Sequence, residues 1–385
     1  PERNAYTLYR QAKDALRPPK DPLWRQWFLG RGAVNELDEA SLEYLESNRE
    51  ALELFREGSE RPDAWWPGLN EQPPIASPMD YQDWYCFTTL AAVEALRLEQ
   101  GDSPAQAWPW YRCMLQASRH CFRHSSLSEL GIGAVIHGHA VTGITRWSNE
   151  TAVDSATLRM ALEETATIYE GGSPLSEILR AEFLAQWETL SDPVGVWIRT
   201  RNLSTGWTQT AIMGGVERRI LQFLFYAWGE PEVGRRTLEH LWGNLLSQCD
   251  LPPELRVVSS ATNKEILYET PADPQTGRLA PAEIERLLFA SPLAGRMPRP
   301  QQLLQVRDQE EMTQQSLRLH LATVLFRRER GREPKSSEEL RDGYLEASGE
   351  RPSKPESPRN VRKDSLEDFD KEEDRIREQP PKASP

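Results

Sequence analysis

Residues 127–147 read LSELGIGAVIHGHAVTGITRW and include the longest apolar stretch without a charged side chain, Leu130 to Thr145. This stretch is shorter than the roughly 18 apolar residues that a membrane-spanning helix requires, so it predicts a buried helix. Each glycine costs about 1 kcal/mol of helix propensity relative to alanine. Such a cost is tolerated where neighbours approach too closely for side chains. The glycines are Gly131, Gly133, Gly138 and Gly143. We expect a packed central helix in which substitution of Gly138 lowers stability, and the alternative is that a ligand occupies the space beside the glycines.

Helical periodicity and capping residues predict further helices on both sides of this stretch. Leu42, Leu45, Leu52 and Phe55 recur at helical spacing in a first helix, and Ser336 with Glu339 forms a capping box for the last one. Pro104 occupies the first helical position of a third helix. We interpret the chain as all-α, an irregular multi-helix domain of helical hairpins that could stack as a solenoid. The predicted helices cover residues 36–57, 79–100, 104 onward, 127–147, 154–170, 174–190, 211–228, 230–249, 303–330 and 336–345.

Composition divides the chain into four parts. Every one of the 13 tryptophans lies in the first part, which we predict to be a helical-hairpin domain. A proline-rich connection follows, then a long helix with a turn and a short helix packed on it. The C-terminal part has few large apolar residues among many charges, so we predict that it is disordered. The predicted boundaries are 1–250, 251–300, 301–346 and 347–385.

Charge and cysteine content narrow the class of protein. A net charge of −13 argues against a nucleic-acid partner, which needs a concentrated basic face. Basic pairs such as Arg327-Arg328 have acidic neighbours and are typical of solvated helix faces. The sequence has no phosphate-binding loop, dinucleotide fingerprint or nucleophile elbow. The cysteines lack CxxC spacing and are interpreted as mostly buried free thiols, although two disulfides remain an alternative: Cys86, Cys113, Cys121 and Cys249.

Histidines supply the sharpest candidate for a metal site. Four of the six lie within a short stretch, namely His120, His124, His137 and His139. On one helix His120 and His124 share a face, which permits both imidazoles to bind one zinc ion. His137 and His139 are two residues apart and so face different sides of a helix. The simpler interpretation is that all four are core and surface residues, and we expect no cofactor.

Paired carboxylates are a further catalytic candidate, because Glu182 and Glu217 both interrupt apolar helical faces. A buried glutamate is more often paired with a basic residue, and arginines are close to both in sequence. We assign no catalytic residue.

Short motifs along the chain resemble a family of large, uncharacterised helical proteins of planctomycete bacteria, carried behind one N-terminal membrane anchor. The C-terminal motif is also similar to the end of a type II secretion pseudopilin. The resemblance implies a helical fold and an exported location, but no activity. The motifs are Asn4-Ala5-Tyr6 with Leu8-Tyr9, Asn48 to Leu54, Glu99-Gln100-Gly101-Asp102, Arg119-His120, Gly229-Glu230-Pro231 with Arg235-Arg236, Asn244-Leu245-Leu246, Phe326 to Pro334, Ser337 to Leu340, and Tyr344-Leu345.

These observations favour a non-catalytic interaction or scaffold domain that faces the cell envelope. The alternatives are a metal-dependent enzyme centred on His120 and His124, and a secretion-associated component. We expect an unidentified protein partner, no nucleic acid, and contact with a membrane only through a segment removed upstream of Pro1. The expected location is the envelope or periplasm, with the cytoplasm as the alternative.

Overall fold

The computed structural model shows an all-α protein. It describes residues 4–17, 37–64, 79, 81–101, 103–123, 127–170, 174–180, 183–184, 245–246, 248–256 and 300–345. Of this described part, 82% is helical and none forms a strand, which confirms the predicted fold class. The α-helices are α1 Ala5–Ala15, α2 Glu39–Ser47, α3 Arg49–Ser59, α4 Tyr81–Gln100, α5 Trp108–Cys121, α6 Leu127–Asn149, α7 Ser155–Glu170, α8 Pro300–Arg330 and α9 Ser337–Leu340.

The first predicted helix is two helices, because Asn48 interrupts it. The Asn48 side chain accepts a hydrogen bond from the backbone of Arg17 at 2.7 Å and donates one to the carbonyl of Tyr44 at 3.0 Å. An asparagine that bonds to backbone groups competes with the helical ladder, so α2 ends and α3 begins there. The break leaves Leu42 38% exposed, whereas the other three predicted core positions are buried.

The predicted hairpin of α4 and α5 is present, with one correction at its turn. Pro104 starts a short 3-10 helix, Pro104–Ala107, and α5 begins only at Trp108. The proline in the first turn of α5 is Pro109, which needs no backbone N–H there.

Helix α6 packs against α4, α5 and α8, as expected for a central element. Two of its glycines meet neighbours closely: a Cβ at Gly133 would lie 3.0 Å from Cys121, and one at Gly143 would overlap the Tyr111 ring. At Gly131 and Gly138 a Cβ would meet nothing within 4 Å. The expectation that Gly138 is packed was therefore wrong, because no atom of the described residues lies near the position of its Cβ.

Helix α8 belongs to the same hydrophobic core as α1 to α7. It ends at Gly331, whose φ of 67° is a left-handed conformation that favours glycine. The predicted capping box is not formed: Ser336 caps no backbone group, and Glu339 instead accepts a hydrogen bond from the backbone of Lys335 at 2.7 Å. The α8 residues that enter the core are Leu317, Leu321, Ala322, Val324, Leu325 and Phe326.

Arg328 is not simply a solvated side chain, because it forms hydrogen bonds with the backbone of another part of the chain. Its guanidinium donates hydrogen bonds to the carbonyls of Glu150, Thr151 and Val153, which follow the end of α6. It thereby ties the α6–α7 turn to α8. The neighbouring Arg327 makes only weaker, exposed contacts.

None of the helices in the described ranges has the length and apolarity needed to cross a membrane. The predicted tail, the predicted helix 211–228 and most of the proline-rich connection lie outside the described residues.

Candidate functional site

Helices α5, α6, α7 and α8 form a bundle in which α6 and α7 each contact both α5 and α8. Side-chain pairs fix the helix directions. Helices α6 and α8 run parallel, whereas α7 and α8 run antiparallel. The pairs are His137–Glu310 and Ser148–His320 for the first two helices, and Arg159–Glu329 for the second two.

Each of the four helices contributes one ionisable side chain to a polar cluster in the bundle interior, which we call the bundle cluster. Its members are Arg119 from α5, His137 from α6, Tyr169 from α7 and Glu310 from α8. Arg119, His137 and Glu310 are 4%, 0% and 3% exposed, and Tyr169 is partly buried. Helical bundles build ligand sites from side chains of facing helices in this way.

His137 connects two members of the bundle cluster. Its Nδ1 atom lies 3.0 Å from a carboxylate oxygen of Glu310, which is ion-pair distance, although the angle is too poor for a good hydrogen bond. Its Nε2 atom is hydrogen bonded to the Tyr169 hydroxyl. The second carboxylate oxygen of Glu310 accepts a hydrogen bond from Gln314 at 3.0 Å.

Burial raises the pKa of Tyr169 well above its usual value, and the charge of Glu310 raises it further. A tyrosine with a raised pKa keeps its proton and is a poor nucleophile. Glu310, His137 and Tyr169 therefore form a chain of close contacts with no activated nucleophile at its end.

Arg119 is the incomplete member of the bundle cluster. Neither Nε nor Nη1 of Arg119 has a hydrogen-bond partner among the residues that the structure describes. Its guanidinium lies over the Phe122 ring, 5.8 Å from the centroid. Burial, and then the positive charge of Arg307, lower the pKa of Arg119 to about 10, while Glu310 opposes this change. The group therefore stays charged at neutral pH.

The surroundings of Arg119 offset only part of the free-energy cost of burying its charge. It lies in the last turn of α5, where the helix dipole favours a cation by about 0.3–1 kcal/mol. A cation–π contact adds about 0.5–2 kcal/mol. Each buried donor without a partner costs about 1–3 kcal/mol, and more when the group is charged. The cost of two such donors without partners exceeds the combined gain from the helix dipole and the Phe122 ring. The site therefore favours an additional hydrogen-bond acceptor.

A second buried cluster contains an arginine, Arg146, whose side chain has hydrogen-bond partners. Arg146 of α6 donates to Glu99 at 2.9 Å and to the Tyr111 hydroxyl at 2.9 Å, and Tyr111 also donates to Glu99. Arg146 therefore has an anionic hydrogen-bond partner, whereas Arg119 has none among the residues that the structure describes. The contrast makes Arg146 a natural control for Arg119.

The structure separates the histidines that were candidates for a metal site. His120 is buried among Tyr9 and the carbonyl of Arg61, and His137 belongs to the bundle cluster. His139 faces Tyr85, so it lies on another side of α6, as its spacing predicts. His124, Glu182 and Glu217 lie outside the described residues. Within the described ranges no three metal-ligating side chains come together.

His120 uses both ring nitrogens in the core. Its Nε2 atom lies 2.9 Å from the Arg61 carbonyl and must donate, so its Nδ1 atom accepts the Tyr9 hydroxyl at 2.7 Å. Burial lowers the pKa of His120 to about 4. This histidine fastens α1 and the end of α3 to α5.

The four cysteines form no disulfide, in agreement with the interpretation as free thiols. Burial raises the pKa of Cys113 and of Cys249 to about 12, and raises that of Cys121 well above its usual value. Cys86 is partly exposed. The three buried thiols are therefore protonated at neutral pH and are not nucleophiles.

The described residues thus define an all-α bundle with a buried polar cluster in which two N–H positions of Arg119 have no acceptor. Neither a known protein family, nor a curated protein, nor a solved structure matches this chain.

Sequence reasoning missed three of the four members of the bundle cluster as a site. Arg119 was noted only as part of a motif, and Tyr169 and Glu310 were not considered. The usable signal is an arginine with apolar residues on both sides of its helical face, because such a position predicts burial and hence a required partner.

Proposed function

We propose that this chain is a non-catalytic binding domain that serves interaction or scaffolding. The observation that supports it is the state of the reactive side chains in the described core. The buried thiols are protonated, both nitrogens of His120 are engaged in the core, and the Tyr169 hydroxyl beside His137 keeps its proton. Arg119 has two N–H positions without a partner among the described residues, and as a cation it binds anions but transfers no proton at neutral pH.

The proposed position at the cell envelope rests on the sequence motifs that resemble exported planctomycete proteins. The alternative of a secretion component rests on the C-terminal motif alone. The proposal for a non-catalytic domain does not depend on either location.

Elemental analysis and thiol titration test this proposal. Protein purified without a chelator or an affinity tag should contain no stoichiometric zinc. A thiol reagent should modify Cys86 in the folded protein, and modify Cys113, Cys121 and Cys249 only after denaturation. Stoichiometric zinc would favour the metal-dependent enzyme. A buried thiol that reacts faster in the folded than in the unfolded protein would identify a nucleophile and overturn the proposal.

A further inference from the structure

We propose that the bundle cluster binds a phosphate group, with the guanidinium of Arg119 as its principal donor. This inference deepens the proposed function, because it names the chemical class of ligand that the domain binds. It rests on a buried arginine whose Nε and Nη1 atoms have no hydrogen-bond partner in the described part of the chain. That side chain is 4% exposed.

The carboxylates near Arg119 are already engaged. Glu310 holds His137 and Gln314, and Glu311 pairs with Arg307 at 2.8 Å. No carboxylate of the described residues therefore provides Arg119 with a hydrogen bond. An anion from solution would supply the acceptor that the described residues lack.

The positive charge around Arg119 favours an anion with more than one charge. Arg307 and Arg123 lie near enough to lower the pKa of Arg119, and Arg318 near enough to lower that of Tyr169. An arginine side chain donates hydrogen bonds to a phosphate group through several N–H groups at once. A phosphate group also has more acceptor oxygens than a carboxylate, which suits the two unpartnered N–H positions of Arg119.

Two other buried polar atoms lie one helical turn from members of the bundle cluster. They are Oε1 of Gln116, three residues before Arg119, and Oγ1 of Thr165, four residues before Tyr169, and neither has a partner among the described residues. Residues at these spacings share a helix face. A hydrogenphosphate ion offers both acceptor oxygens and a donor hydroxyl, so it matches a site with unfilled donors and acceptors.

Thermal unfolding of the whole chain tests the inference, with the protein purified in phosphate-free buffer at pH 7. The ligands are inorganic phosphate, glycerol 3-phosphate, sulfate and acetate, and sodium chloride at equal ionic strength is the control. Phosphate should raise the melting temperature above the chloride control in a saturable way. A larger rise with glycerol 3-phosphate than with inorganic phosphate indicates an organic phosphate as the natural ligand, and equal rises indicate the free ion.

Variants assign the effect to Arg119. Arg119→Met should melt no lower than the parent protein without ligand, because it removes a buried charge that lacks a partner, and should lose the phosphate response. Arg119→Lys keeps the charge but not the planar fork, so its phosphate affinity measured by calorimetry should fall by roughly tenfold. Arg146→Met is the matched control: it should melt lower but keep the phosphate response.

Three outcomes overturn the inference. The first is a phosphate response no larger than that of chloride, and the second is a response that survives in Arg119→Met. The third is a large loss of stability in Arg119→Met without ligand, which means that the chain already supplies a partner for Arg119. Should Arg119→Met fail to fold, Arg119→Lys and the response of the parent protein decide the question. Zinc content and thiol reactivity remain separate tests of the non-catalytic proposal, so the two can fail independently.

Discussion

The glycines of α6 provide a matched pair of substitutions on one helix. Gly143 lies against the Tyr111 ring, whereas Gly138 is exposed with no atom near the position of a Cβ. Gly138→Ala should therefore increase the free energy of unfolding by about 1 kcal/mol, the difference in helix propensity between the two residues. This reverses the expectation that the sequence alone suggested for Gly138.

Gly143→Ala should have the opposite effect. The added methyl group gains the same propensity of about 1 kcal/mol, but it overlaps a ring that cannot easily move. The Tyr111 hydroxyl is held by both Glu99 and Arg146, so displacing the ring breaks buried hydrogen bonds to charged groups. Overpacking costs about 1–3 kcal/mol, and each lost bond to a charged group costs about 1.5–3 kcal/mol. If one of these two hydrogen bonds is lost, we expect a net loss of about 1.5–5 kcal/mol.

Urea unfolding monitored by circular dichroism measures both changes, and the slopes should match that of the parent protein. By thermal unfolding the expected shifts are a rise of about 2–4 °C for Gly138→Ala and a larger fall for Gly143→Ala. The variant pair Gly143→Ala and Tyr111→Leu should be less destabilised than the sum of its single changes, because the methyl group then has space. Equal stabilisation by both alanines would refute the packing of α6 on α5 described above.

Three further predictions follow from single contacts. Burial lowers the pKa of His120 from 6.5 to about 4, so its neutral form contributes stability that is complete above pH 6.5 and lost as the pH falls towards 4. Unfolding in urea should show that the free energy of unfolding falls by about 3 kcal/mol over this range, and His120→Gln should reduce this pH dependence. Arg328→Ala should lower the free energy of unfolding by about 1–3 kcal/mol, because it releases the α6–α7 turn. The control Arg327→Ala should change the free energy of unfolding by less than about 0.5 kcal/mol, and equal effects of the two variants would contradict the contacts assigned to Arg328. Asn48→Ala should cost about 1–3 kcal/mol, because it removes the acceptor of the Arg17 backbone N–H and one of the two donors to the Tyr44 carbonyl, the other being Ser47. A neutral result, as expected for the exposed Asn149→Ala control, would show that the break between α2 and α3 does not need the Asn48 side chain.

The sequence predicted the elements well where local rules decide them. The helices α4, α6, α7 and α8 follow from apolar periodicity and from terminators such as Gly101 and Gly331, which act within one turn. The errors arose where a distant partner decides the outcome. Asn48 ends a helix because it reaches Arg17. The capping box at Ser336 is an exception with a local cause, because Glu339 bonds to the backbone of Lys335 instead of that of Ser336.

Sequence patterns predict the bundle cluster even less well than the helix ends. Its members come from four helices, and α8 is far along the chain from the other three, so spacing carries no information about their meeting. The histidine stretch attracted attention because its members are close in sequence, yet the bundle separates them: His120 fastens α1 to α5, His137 meets Glu310, and His139 faces Tyr85. Arg119 gives a different kind of signal. A buried guanidinium requires an acceptor wherever it lies in the sequence, so a search for buried cations without partners finds the candidate site that a search for adjacent metal ligands misses.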